Sequence, residues 1–147
     1  MKSLIVYDSK YGNTKKVGEL IAEGLRTIEG NEVIIENVKE IDLNKEQNYD
    51  LILIGSPNHY GSCTKPIKNL ITKLPESSVK GNTYAVFETY MFNPKKVVKI
   101  MEKRINEVIP HTIKTSPGLS IKVAANKGPI MDEELPKCKE FGIKLAK

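Results

Sequence analysis

Leu4-Ile5-Val6-Tyr7-Asp8-Ser9-Lys10-Tyr11-Gly12-Asn13-Thr14 carries a short apolar segment into a turn rich in glycine and hydroxyls, and a helical pattern starts at Lys15. A run that is apolar at every position suits a strand buried on both faces of a parallel sheet. A turn from such a strand into a helix aims backbone N–H groups, and the positive end of the helix dipole, at one spot above the sheet edge. Ser9 to Thr14 is therefore a candidate phosphate cradle, in which Gly12 permits close approach or a positive φ and Ser9, Asn13 and Thr14 add donors. The same six residues also suit an ordinary loop in which Asn13 or Thr14 caps the helix. Neither Gly-x-x-x-x-Gly-Lys-Ser/Thr nor Gly-x-Gly-x-x-Gly occurs, so the two commoner nucleotide loops lose their support.

Working outward, strands and helices alternate. Val17, Leu20, Ile21, Gly24, Leu25 and Ile28 recur at helical spacing from Lys15 to Ile28, and Gly30-Asn31 ends that pattern. Glu32 to Val38 reads as an outer strand, and Lys39 to Asn48 as a polar connection. Leu51-Ile52-Leu53-Ile54 is the strongest strand and is placed centrally. A helix from Pro66 to Leu74 follows it, then a buried strand from Thr83 to Phe87 and a helix from Pro94 to Val108. Thr112 to Ala124 contains Pro117-Gly118 and reads as an interrupted strand, and Asp132 to Lys147 as a closing helix. Five strands alternating with four helices predict one α/β domain over residues 1–147, a doubly wound sheet with right-handed crossovers. Ligands of such sheets lie beyond the carboxyl ends of the strands, where the strand order reverses. Three loops then meet there: Ser9–Thr14, Ser56–Cys63 and Glu88–Asn93.

Composition narrows the functional class. The 147 residues carry a net charge of +5, with 39% apolar and 28% charged residues, which is ordinary for a globular domain. No apolar run is long enough for a membrane span, and the start lacks a signal-peptide pattern, so a cytoplasmic protein without a membrane role is expected. Lysines alternate with acids along the helices, for example Lys15, Lys16, Glu19 and Glu23, which argues against nucleic-acid binding. Cys63 and Cys138 have no ligand spacing and read as reduced thiols without a metal.

The second loop, Gly55-Ser56-Pro57-Asn58-His59-Tyr60-Gly61-Ser62, joins a Gly/Pro turn to an aromatic, and the third, Glu88-Thr89-Tyr90-Met91-Phe92-Asn93, supplies two more. Tyr60 and Phe92 lie in turn-like sequence and suit plates for a flat ring, whereas Tyr7 and Phe87 suit the core. His59 reads as an exposed loop histidine rather than a proton donor, for lack of a nearby carboxylate.

From end to end the chain resembles the short-chain flavodoxins: strand, Ser-x-x-Gly-Asn-Thr loop, helix, Gly-Ser-Pro loop, strand with an aromatic loop, and the closing Glu140-Phe141-Gly142-Ile143-Lys144-Leu145-Ala146. The resemblance implies a five-stranded parallel sheet in the order 2-1-3-4-5 with helices on both faces. It also implies FMN, bound without a covalent bond and cycling among quinone, semiquinone and hydroquinone. Ser9, Lys10, Tyr11, Gly12, Asn13 and Thr14 would surround the phosphate. Tyr60 and Gly61 would cover one flavin face, with Gly61 the redox-tuning turn, and Ser56, Pro57, Asn58 and His59 of the same loop would also contact the cofactor. Glu88, Thr89, Tyr90 and Phe92 would line the other, Phe92 or failing that Tyr90 stacking on the ring. Tyr11 and Lys10 depart from the family's phosphate loop, and Ser62 stands where an Asp is common. An electron carrier follows as the expected function, monomeric or weakly dimeric, serving redox partners with acidic docking faces. An FMN-dependent NAD(P)H:quinone reductase is the alternative. A response-regulator receiver domain is excluded, because Asp50 begins its strand and Asp8 lacks an acidic neighbour.

Overall fold

A computed structural model describes residues 1–110 and 117–147, and residues 113 and 114 as backbone only. The elements run β1 (Lys2–Tyr7), α1 (Asn13–Leu25), β2 (Glu32–Asn37), β3 (Gln47–Pro57), α2 (Lys65–Lys73), β4 (Val79–Tyr90), α3 (Lys96–Val108), β5 (Ile113–Lys114), β6 (Leu119–Lys122) and α4 (Leu135–Ala146). All pairings in the sheet are parallel, in the order β2-β1-β3-β4-β5. The last position is shared: β5 pairs with Thr83 and Tyr84 of β4, and β6 with Phe87 to Tyr90 further along. The interrupted strand expected between Thr112 and Ala124 is thus two short strands, with Thr112, Thr115 and Ser116 lying outside the described residues.

Side chains alternate between two cores because strand period is two. Leu4, Val6, Ile52, Ile54, Tyr84 and Val86 face α2 and α3. Ile5, Tyr7, Leu51, Leu53, Ala85 and Phe87 face α1 and α4. The second core admits close approach where side chains are absent. A Cβ on Gly24 of α1 would stand 2.1 Å from the Lys139 carbonyl oxygen, and one on Gly142 of α4 would stand 2.1 Å from that of Ile21, so the two helices touch backbone to backbone. Among the described residues no helix is long and apolar enough to cross a membrane.

Two elements are longer than the sequence pattern suggested. β3 begins at Gln47 rather than Leu51, because Gln47, Asn48 and Tyr49 pair with Val79, Lys80 and Gly81 of β4. Parallel pairing satisfies the backbone there while the side chains of Asn48 and Asp50 stay in solvent. At its other end β4 continues past Phe87 to Tyr90, carrying Glu88 into the interior.

Glu88, expected on the sequence to line the third loop's ligand site, turns its side chain elsewhere. It is fully buried. One carboxylate oxygen accepts the Val97 N–H at 3.1 Å, and the other accepts the Ser120 hydroxyl, which itself takes the Lys95 N–H at 2.8 Å. A carboxylate from β4 therefore caps the first turn of α3, where no side chain of that helix does so, and ties β6 to the same point. Desolvation raises its pKa above the ordinary glutamate value, while the bonds from Ser120 and the α3 backbone pull it down by less.

A carboxyl whose pKa is higher folded than unfolded binds the extra proton in the folded state, so its stabilising contribution is complete below the unfolded value and fades as pH rises through the folded one. Glu88→Gln keeps the shape and removes the titration. Urea unfolding from pH 4 upward is expected to show the wild type losing stability relative to the variant as pH increases; parallel curves would contradict the assignment.

Candidate functional site

Register brings the loops together. Tyr7 lies beside Gly55, Gly55 beside Phe87, Pro57 beside Thr89, and Tyr90 beside Lys122, so β1, β3, β4 and β6 all end at one sheet edge. The chain order reverses between β1 and β3, the place where doubly wound sheets leave a crevice. A cleft of about 280 Å³ occupies it, close to the lower bound of roughly 300 Å³ for small-molecule sites.

The first wall is the Ser9–Thr14 turn. Gly12 adopts φ 94°, and its N–H donates to the Ser9 hydroxyl at 3.1 Å. The first bond of α1 runs from the Lys16 N–H to the Gly12 carbonyl, and the N–H groups of Asn13, Thr14 and Lys15 have no partner among the described residues. No side chain caps this end, so capping by Asn13 or Thr14 does not occur. Thr14 is buried, its hydroxyl 2.9 Å from that of Thr89, which couples the first loop to the third. A Cβ on Gly12 would meet nothing within 4 Å: it would project into the open cradle.

Asn58 organises the second wall. Its backbone N–H donates to the Thr89 carbonyl at 2.8 Å, its amide nitrogen to the Phe92 carbonyl at 3.4 Å, and its amide oxygen accepts the Gly61 N–H at 2.8 Å. Beyond it, His59 and Ser62 exchange backbone bonds of 2.8 and 3.1 Å around a two-residue turn. Tyr60 and Gly61, the turn's central pair, have φ of 51° and 83°, the doubly positive combination that favours glycine. Tyr60 is 97% exposed and meets His59 edge to face at 4.7 Å between ring centres. Ser56 is buried, donating to the Pro57 carbonyl and accepting the Thr64 N–H, so it secures the start of α2 rather than facing the cleft.

Thr89, Tyr90 and Met91 form the third wall. Phe92 is 73% exposed and lies outside the lining, because the strand reaches Tyr90 and the chain has turned away two residues later. Burial, and then the nearby Glu134 carboxylate, push the Tyr90 phenol upward, so the ring is neutral at physiological pH.

A fourth wall has no counterpart among the motifs. Val123 and Asn126 line the cleft. Their loop folds back on itself, with the Ala124 N–H on the Pro129 carbonyl and the Val123 N–H on that of Tyr90, both at 2.9 Å. Gly128 passes so close to Asn13 that a Cβ there would lie 2.5 Å from the Asn13 amide oxygen. Lys127 and Lys10 flank the Tyr11 ring, with ammonium groups 6.0 and 5.4 Å from its centre. Lys10 is the charged residue of the lining among the described residues, none of which brings a carboxylate to the cleft.

Comparison with known proteins converges on one family. A flavodoxin domain model matches residues 4–128. The chain is 43% identical over 60 residues to a flavodoxin of Aquifex aeolicus, a match spanning 41% of this chain and 32% of that protein. It is 30% identical over 145 residues to a flavodoxin of Clostridium beijerinckii, covering 97% of both. The solved structure of a flavodoxin from the domain Archaea superposes with a TM-score of 0.83 at 25% identity, covering 99% of this chain and 96% of that one. A matching domain model, a relative aligned along nearly its whole length and a shared strand order agree: the chain belongs to the flavodoxin family.

Proposed function

We propose that this protein binds FMN in the four-loop cleft and carries electrons between redox partners. The observation that carries the reading is the junction of an uncapped helix N-terminus with exposed and half-buried aromatics at the reversal point of the sheet. Three free N–H groups, the Ser9 hydroxyl and an open cradle at Gly12 suit a phosphate dianion. Tyr60 and Tyr90 lie on different walls and suit the two faces of a planar ring, a fit that favours Tyr90 over Phe92 as the second plate. Bound FMN supplies one-electron and two-electron chemistry; the chain supplies position and charge. Gly61 holds a turn whose reversed geometry is also open to glycine, and so can present either face of a peptide to the ring.

Charge is the distinctive contribution. Lys10 and Lys127 stand at one end of the cleft, and the Lys96 ammonium is 2.8 Å from where a Cβ on Gly61 would be. Cations without lining carboxylates stabilise an anionic reduced ring. The cytoplasm, as the sequence suggests, is the proposed setting.

Binding is tested by fluorescence titration with FMN and with riboflavin, which lacks the phosphate. Ser9→Ala is expected to weaken FMN by about tenfold, the scale of one hydrogen bond to a charged group, and to leave riboflavin nearly unchanged. Equal losses for both ligands would contradict a phosphate at this loop. NAD(P)H oxidation with a quinone acceptor is expected at background rates, and turnover would select the reductase. The second reduction potential is expected to be less negative than in acidic flavodoxins, and Lys10→Glu combined with Lys127→Glu should lower it by tens of millivolts, on the order of the Coulomb term for partly exposed charges. An equally low potential in the wild type, or none of that shift, would count against the electrostatic reading.

A further inference from the structure

The two helix layers cover similar apolar sheet faces and carry very different charge. On one side α1 sets Lys15 and Lys16 against Glu19 and Glu23, while the turn at 132–134 and α4 set Lys137, Lys139 and Lys144 against Asp132, Glu133, Glu134 and Glu140. On the other side α2 carries Lys65, Lys68 and Lys73 with no acid, and Lys95 and α3 add Lys96, Lys99, Lys103 and Arg104 against Glu102 and Glu107. Eight cations thus meet two carboxylates on the α2–α3 face, and five meet six on the opposite one. The α2–α3 elements therefore carry a net charge of +6 and the opposite ones −1, and the remaining charged residues of the chain cancel.

That face has a shaped feature. A groove of about 450 Å³ runs between α2 and α3, lined by Ser62, Cys63, Lys68, Ile100, Lys103 and Arg104, with Glu107 at its side. Arg104 is held there, donating to the Thr72 hydroxyl at 3.0 Å and reaching Glu107 at 3.9 Å. Lys68, Lys99 and Lys103 have no ion-pair partner among the described residues. The groove starts beside Gly61, since Ser62 follows it directly, and the Lys96 ammonium lies against Gly61. Tyr60, 97% exposed, precedes Gly61, and Phe92, 73% exposed, is tied to the same loop where its carbonyl accepts the Asn58 amide N–H. Exposed aromatics on the loop that leads into a groove lined by cations have the composition of a protein interface: an anchor that excludes water and a charged rim that steers encounter.

We propose that the α2–α3 face, from Tyr60 and Phe92 along the Lys68–Lys103 groove, docks an acidic redox protein whose carboxylates enter between the two helices. Docking there brings the partner to the exposed end of the flavin cleft; this deepens, and rests on, the carrier reading. In the transfer itself one electron leaves the reduced flavin and reduces one oxidised centre of the partner.

Cytochrome c tests this, because the native protein is basic and its fully succinylated form is acidic around the same haem. The FMN-loaded protein, reduced with dithionite and freed of excess reagent, passes one electron to each ferric haem. Succinylated cytochrome c is expected to react at least tenfold faster than the native form at low salt, with a rate that falls as sodium chloride is added. Lys68→Glu with Lys103→Glu should remove about tenfold of that rate and leave FMN affinity unchanged. A native form that reacts as fast, or a variant with the wild-type salt dependence, overturns the proposal. Backbone amide shifts of the labelled protein with succinylated cytochrome c read docking without electron transfer. Shifts confined to α2 and α3 without transfer would uphold the surface and fail the carrier reading, whereas shifts elsewhere would overturn the surface. The proposal is equally overturned if a single-stranded oligonucleotide or phosphatidylserine vesicles shift α2 and α3 and the acidic cytochrome does not.

Discussion

Burial of β1, β3 and β4 on both faces is the constraint on which the rest of the molecule depends. Leu51 and Leu53 need one apolar cover and Ile52 and Ile54 need another, so helices lie on both sides, and as the crossovers between strands they make those strands run parallel. Parallel strands with helical crossovers send every strand-to-helix turn to the same edge. The cleft is a consequence: Tyr7, Pro57 and Tyr90 end at neighbouring positions, and the loops that follow have only one place to go.

Local interactions then convert a crossing of loops into a site. Asn58 joins the second loop to the third through two hydrogen bonds and holds the Gly61 N–H of its own loop with another, and the Thr14–Thr89 hydroxyl pair joins the first to the third. Glu88 anchors the far end of the third loop by capping α3 and holding Ser120. These polar groups are buried or half-buried and paired, so each loosened bond would leave a desolvated partner. The cradle at Gly12 is different in kind. The N–H groups of Asn13, Thr14 and Lys15 there have no partner among the described residues.

Much of this was legible in the chain. Continuous apolar runs identified the buried strands, Gly12 marked the turn of positive φ that opens α1, and the order of the motifs pointed to the family. Three features were not. The loop carrying Val123 and Asn126 has no motif, and its role arises from a contact between Gly128 and Asn13 that is remote in sequence. The ending of β4 at Tyr90 rather than Phe87 decides which aromatic lines the cleft and buries Glu88, and edge residues of a strand obey register more than propensity. Lysines interspersed with acids along the chain resolve into one balanced face and one basic face only when the helices are assigned to their layers.

The central claim is that this cleft holds FMN and lets it exchange single electrons. Stepwise anaerobic reduction of the FMN-loaded protein with dithionite, followed by absorption spectroscopy, tests it most directly. A long-wavelength band of one-electron-reduced flavin that rises to a maximum near half reduction and then falls is the predicted result. Direct conversion of oxidised to fully reduced flavin, with no such band at any step, would contradict it.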